Sequence, residues 1–214
     1  MRLRNVKNAH EILEQSDYVI KNPKELKGRF KTIFNNTNPI RLEIGMGKGQ
    51  FIINMAKKYP NINFIGVEKY ESVLVRAVQK VEGEQIDNLK FICIDAKELN
   101  EVFDHEIDTL HLNFSDPWPK NRHADRRLTS HIFLKIYDDI FIGDKKIIQK
   151  TDNIVLFASS LSSLSTYGYT LERVSLDLHN EDIDNVKTEY EEKFSDLGFK
   201  INYLEARKTL EKNC

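Results

Sequence analysis

The sequence predicts an open, twisted α/β sheet, mostly parallel with an antiparallel C-terminal edge and with helices on both faces. Three observations carry this. From Pro39 onward, short apolar runs alternate with amphipathic stretches, the rhythm of strands joined by covering helices. A glycine-rich turn, Gly45-Met46-Gly47-Lys48-Gly49, joins the first strand to the first of these helices. Acids stand at successive strand ends, and parallel sheets bind ligands beyond the carboxyl ends of their strands.

The elements follow in order. Residues 40–44 (IRLEI) read as a strand, and 50–58 as a helix stopped at Pro60. Residues 62–68 form a second strand and 70–81 a helix, with Val73, Ala77 and Val81 four apart. A third strand over 89–95 leads to a short helix near 97–103. A fourth, over 107–114, runs into the irregular SDPWPKNRHADRRL. Residues 129–140 read as a helix with Thr129 as N-cap and Ile132, Phe133 and Ile136 on one face. Residues 145–151 are a fifth strand and 153–166 a helix. YTLERVSLDL and FKINYLEA are the last strands, flanking a short helix in TEYEEKFSDLG that ends at Gly198. Phe51, Phe64, Phe91, Phe114 and Phe133 fall on apolar faces and are expected in the core. Residues 1–38 are expected to pack on or flank a single domain spanning 39–214.

The 214 residues can bury a core without staples. With 30% charged and 40% hydrophobic residues, the composition excludes collagen, a disulfide scaffold and bulk disorder. A formal charge of −1 excludes a global basic field, so any polyanion site is local. Charge is uneven: residues 1–31 carry a net +4 and residues 177–192 a net −6. The two cysteines, Cys93 and Cys214, form no framework, and Cys93 reads as a buried thiol. No apolar segment has the makings of a signal peptide or a membrane helix. A cytoplasmic protein is expected, as a monomer or a homodimer. The six histidines are scattered without ligand spacing, so no metal is expected.

The strand ends hold the chemistry. Gly45, Gly47 and Gly49 let the backbone turn sharply and approach a ligand. Their spacing is not the dinucleotide pattern, because Gln50 follows Gly49, which disfavours a nicotinamide oxidoreductase. Glu43 beside this loop suits a cationic ligand such as S-adenosylmethionine and repels a pyrophosphate. Glu68, 23 residues after Gly45, is placed to chelate ribose hydroxyls. Asp95 ends the third strand, where it could accept from an adenine amino group. After the fourth strand, Pro117 and Pro119 fix a rigid turn that holds Asp116 beside the donor and offers Trp118 as a wall. Lys120, Arg122, His123, Arg126 and Arg127 follow, a phosphate clamp for nucleic acid if they face outward.

FSDPWPKNRHADRRL, together with LEIGMGKGQF, TDN (151–153) and TEYEEKFSDLG (188–198), resembles the signature of the bacterial tRNA (guanine-N7)-methyltransferases. The resemblance spans about residues 40–206. Asn121 and Asp125 stand where a basic residue is common, and Met46 where a small one is. It implies a class I methyltransferase fold and methyl transfer to N7 of a guanine in the tRNA variable loop. By motif, it implies that Glu43, Glu68, Asp95 and Asp116 contact S-adenosylmethionine. It likewise implies that Lys120, Asp152, Thr188, Glu189, Tyr190 and Glu191 contact the substrate, and that Arg122 to Arg127 meet RNA.

The chemistry is consistent with these residues. Neutral guanine N7 carries a free lone pair, so no strong base is needed and the task is mainly positioning. Carboxylates aimed at the purine stabilise the positive charge that develops there, which makes Asp116 the expected catalytic residue. Two alternatives stay open on sequence: a nucleic-acid methyltransferase acting on an exocyclic amine, and a non-catalytic RNA-binding module of the same fold.

Overall fold

The computed structural model describes residues 6–210; Arg2, Arg4 and Cys214 lie outside the described residues. Its elements in chain order are α1 (Ala9–Gln15), α2 (Lys31–Phe34), β1 (Ile40–Ile44), α3 (Gln50–Lys58), β2 (Asn63–Glu68), α4 (Glu71–Val81), β3 (Leu89–Cys93), α5 (Leu99–Val102), β4 (Ile107–Asn113), α6 (His131–Ile140), β5 (Phe141–Thr151), α7 (Ile154–Thr166), β6 (Thr170–Ser175), α8 (Glu189–Asp196) and β7 (Asn202–Lys208). One sheet runs in the order β3-β2-β1-β4-β5-β7-β6. Strands β1 to β5 are parallel, and β7 inserts antiparallel between β5 and β6. This is the predicted fold class.

Strand order reverses between β1 and β4. The chain leaves β1 toward β2 and β3 on one side and returns through β4 toward β5 on the other. The carboxyl ends of β1 and β4 therefore face an open crevice, the place where such sheets bind ligands. Strands β1, β2 and β4 are buried along almost their whole length because helices cover both faces. Helices α3 and α4 pack with Phe64, Leu89 and Phe91 on one side. On the other, α5, α6 and α7 pack around Leu42, Leu110 and Ile147.

Residues 6–38 are built into the domain. Val19 pairs with Phe91, and the Phe91 amide donates to the Tyr18 carbonyl at 2.7 Å, covering the free edge of β3. Phe30 is fully buried, and the buried Glu106 carboxylate accepts from the Phe30 amide at 2.7 Å and the Gly28 amide at 3.0 Å. The segment's positive charge is partly spent inside the fold: Lys24 pairs with Glu98 and Glu101.

Several sequence expectations are corrected. Thr129 is not the cap of α6; Ser130 holds that position, and the Thr129 hydroxyl bonds Ser160 at 2.8 Å. Ile132 is exposed, and α6 instead buries Phe133, Leu134, Tyr137 and Ile140. Strand β5 starts at Phe141, four residues early, across a bulge opposite Ile107. Strand β3 ends at Cys93, whose side chain is only half-buried. Phe114 leaves the core at φ +49° and packs against Tyr190, with ring centroids 4.9 Å apart.

Candidate functional site

The glycine loop lies across the end of β2. The Gly45 and Met46 amides donate to the Val67 carbonyl at 2.8 and 3.1 Å. Gly47 takes φ +59°, a left-handed conformation that a side chain would strain, and its amide donates to Glu68 Oε2 at 3.1 Å. At Gly49, φ +77°, a Cβ would come within 2.8 Å of the Ala77 Cβ, so glycine is what lets α3 lie against α4. Met46 turns its sulfur into the space beside Gly66 and leaves the loop's outer face to backbone.

Under this loop Glu43 is buried. Its Oε1 accepts from Asn113 Nδ2 at 2.8 Å, while Oε2 has no partner. Burial pushes this carboxyl up to about 8, with the Asn113 bond and the Lys150 charge opposing. Asn113 Oδ1 is likewise buried and unpartnered. With the carboxyl ionised these are two buried acceptors without donors, a pair that a cationic group would satisfy. Neighbouring His111 packs on the Phe51 ring at 5.1 Å, and burial lowers it to about 3, so it stays neutral.

Glu68 accepts from the Lys69 and Tyr70 amides as well as from Gly47. Burial raises its carboxyl above the usual range, and the charge of nearby Asp116 adds to this. Asp116 itself is exposed. Glu43, Glu68 and Asp116 thus meet at the crevice. Asp95 stands two residues past β3, where it caps a helical turn through the Lys97 amide and pairs with Lys69 Nζ at 2.6 Å.

The turn after β4 is held from behind. Trp118 adopts φ +41°, a strained conformation for a bulky residue. Arg127 fixes it: Nε donates to the Pro117 carbonyl at 3.2 Å, Nη2 to the Trp118 carbonyl at 3.1 Å, and Nη1 to Ser159 Oγ at 2.8 Å. Arg127 is buried, which corrects its expected place on the RNA-facing surface. Arg126 lies over the Trp118 ring at 4.8 Å and His123 at 5.7 Å; with Lys120 and Arg122 they form the outward basic face. Replacing Arg127 by methionine is expected to cost about 2–3 kcal/mol. In a thermal melt that is a drop of roughly 5–10 °C, whereas Arg122→Ala should stay within about 0.5 kcal/mol. An unchanged midpoint for Arg127→Met would remove the internal role.

Residues 185–191 come over the same end of the sheet. Thr188 caps α8 in a capping box, its Oγ1 accepting from the Glu191 amide at 2.9 Å. Glu191 is fully buried and both its oxygens are engaged, by Lys150, His179 and Asn185. Thr188 and Glu191 therefore face inward here, with their side-chain oxygens held by the protein itself. Glu189 pairs with Lys48 of the glycine loop at 3.4 Å and with Lys80. Tyr190 donates to Asp152 Oδ2 at 3.2 Å and stacks on Phe194 at 4.0 Å.

The structure brings Glu43, Glu68 and Asp116 together with the glycine loop, and sets Asp152, Glu189 and Tyr190 at the same end of the sheet. Sequence reasoning missed Asn113, Lys150 and the inward turn of Arg127. A lysine inside the apolar strand IIQKT was the available signal for a buried ion pair. A groove of about 620 Å³ between α6 and α7, bounded by His131, Ser163, Tyr167 and Lys208, holds none of the expected site residues. Among the described residues, no group of three or more His, Cys, Asp or Glu is placed to hold a metal, and no helix is long and apolar enough to cross a membrane.

Comparison with solved structures finds the same fold in the 16S rRNA methyltransferase KamB, with TM-score 0.66 at 12% identity over 86% of this chain and 94% of that one. It also finds it in a SAM-bound 16S rRNA (adenine(1408)-N(1))-methyltransferase from Catenulisporales acidiphilia, with TM-score 0.61 at 14% identity over 91% and 95%. The chain thus has the fold of these methyltransferases. A model of the family described as putative methyltransferase matches residues 37–204. Curated tRNA (guanine-N(7)-)-methyltransferases match along almost their whole length: that of Lachnoclostridium phytofermentans at 48% identity over 96% of this chain and 98% of its own, and that of Bacillus velezensis at 53% over 92% and 93%. The tRNA (guanine-N(7)-)-methyltransferase of Bacillus subtilis is 51% identical over 92% and 94%. The chain belongs to the tRNA (guanine-N(7)-)-methyltransferase family.

Proposed function

We propose that this protein transfers a methyl group from S-adenosylmethionine to N7 of a guanine in the tRNA variable loop. The observation that carries the reading is the near-full-length identity of about half with tRNA (guanine-N(7)-)-methyltransferases. S-adenosylmethionine supplies an electrophilic methyl, which N7 attacks in line as the bond to sulfur breaks and its electrons return to sulfur.

The residues fit this donor. The unpartnered Glu43 Oε2 and Asn113 Oδ1 suit its ammonium group, and Glu68 at the end of β2 suits ribose hydroxyls. Gly45, Gly47 and Gly49 offer backbone to the ligand, and the Asp95 carboxylate, paired with Lys69, is an acceptor suited to an adenine amino group. On the acceptor side, Asp116 orients the guanine and stabilises its developing charge. Lys120, Asp152, Glu189 and Tyr190 approach the same base, with Thr188 and Glu191 holding their segment. Arg122, His123 and Arg126 meet the phosphates, with Arg127 supporting the turn. The surroundings of this reaction are cytoplasmic.

The test uses methyl-labelled S-adenosylmethionine and two unmodified tRNA transcripts, one with the variable-loop guanine changed to adenine. Label is expected only in the guanine-bearing transcript, at a base that borohydride and aniline cleave. Label at an uncleavable base would instead indicate an exocyclic amine. Donor binding without transfer to any RNA would indicate a non-catalytic module.

A further inference from the structure

Lys150 is the penultimate residue of β5, beneath the segment that carries Glu189 and Tyr190. Its side chain is 3% exposed, and its ammonium spends all three donors on that one segment. It donates to Asn185 Oδ1 at 3.1 Å, to the Val186 carbonyl at 2.8 Å and to Glu191 Oε2 at 2.6 Å. The Phe51 ring of α3 lies 4.9 Å from the same nitrogen. Glu191 Oε1 then gathers His179 at 2.8 Å and Asn185 at 2.5 Å. The segment is also held by exposed ion pairs, Asp184 just before it with Lys58 and Glu189 with Lys48 and Lys80, which contribute little each. The exposed Tyr190–Asp152 hydrogen bond holds it too, as does packing of Val186 on the core and of Tyr190 on Phe114 and Phe194. Lys150 is its one buried polar anchor among the described residues, and Glu43 lies close enough for their charges to interact.

Resting on the function proposed above, we propose that Lys150 is a positioning residue for the acceptor: through Asn185, Val186 and Glu191 it holds residues 185–191 against the donor crevice, so that Glu189 and Tyr190 meet the guanine. It touches neither donor nor base. Its two faces join the halves of the site, with Phe51 and Glu43 on the donor side and the Glu191 capping box on the acceptor side. A buried cation whose three donors all end on one short segment ties that segment down, and its loss frees seven residues at once.

The test compares the wild type with the double variant Lys150→Met/Glu191→Gln. Replacing both partners avoids leaving a buried charge alone, the change that would unfold the protein. The readouts are the donor dissociation constant, kcat and KM for tRNA, the melting temperature, and the rate of tryptic cleavage at the exposed Lys187. The double variant is expected to bind S-adenosylmethionine within threefold of wild type. It is expected to lose at least tenfold in kcat/KM for tRNA and to be cut at Lys187 at least tenfold faster. A purely structural role would instead lower donor affinity and melting temperature together, and that result overturns the proposal. So does a double variant with wild-type kcat/KM and wild-type cleavage. Failure of the wild type itself to methylate tRNA overturns the functional reading, and cleavage at Lys187 still decides the anchoring by itself.

Discussion

Asp116→Ala is expected to lower kcat by about 10²–10³-fold, the usual loss when one preorganised electrostatic group is removed. The argument starts from the turn. Asp116 sits at the carboxyl end of β4, followed by Pro117, and the carbonyls of Pro117 and Trp118 are fixed by Arg127. An exposed carboxylate on so rigid a support loses little entropy when it binds. Guanine presents N1–H and its amino group as donors. As N7 takes the methyl, the purine becomes cationic and both donors strengthen, so the bond to Asp116 tightens in the transition state and the effect falls on kcat. Asp116→Asn keeps an acceptor oxygen but not the charge, so its loss should lie between wild type and Asp116→Ala. Donor affinity should change less than kcat in both variants. A fall in kcat of under threefold in folded Asp116→Ala would sink the assignment.

Arg126 and Arg127 show what a sequence can and cannot tell. Both belong to one basic run, and the run was legible as a charged loop beside the fourth strand. Which of the two faces outward depends on a short 3₁₀ helix over Asn121–Arg126, which sends Arg126 over Trp118 and Arg127 into the body of the protein. Charge patterns carry no direction. The same holds for Glu191, an acid in an acidic stretch whose pattern gives no direction; Lys150 meets it from 41 residues away and holds it inside. The strand–helix alternation was legible almost to the residue because period two and period 3.6 are local properties. The early start of β5 was not, since FIGDKK looks like a turn. It extends as a strand because Phe141 finds Ile107 across the sheet. The three acids at strand ends were legible for a topological reason: parallel sheets put ligands at those ends, so chemistry concentrates where the periodic pattern stops.

Glu43 carries the largest effect expected on the donor. Glu43→Ala leaves an ammonium facing a buried, uncompensated site, which typically costs about 2–5 kcal/mol, so the dissociation constant for S-adenosylmethionine should rise by at least about thirtyfold. Its pH dependence has a definite sign. Burial raises this carboxyl to about 8, so without donor it is largely protonated at pH 7. A cationic donor selects the carboxylate, so binding expels a proton and wild-type affinity should rise with pH toward 8. Titration calorimetry at pH 7 in buffers of different ionisation enthalpy should show more proton release for wild type than for Glu43→Gln. The difference isolates the carboxyl from any titration of the donor. Stability runs the other way. A carboxyl raised in the folded state, against about 4.3 when unfolded, contributes stability that is complete below that value and is lost as pH rises through 8. Donor-free wild type should therefore melt lower at pH 8.5 than at pH 6, and Glu43→Gln, with no proton to lose, should fall less over the same interval. Equal falls in the two proteins would show that Glu43 does not titrate there, and the donor would have to be held by other charges. The two slopes share one cause: the carboxylate that destabilises the empty fold is the one a cation would satisfy.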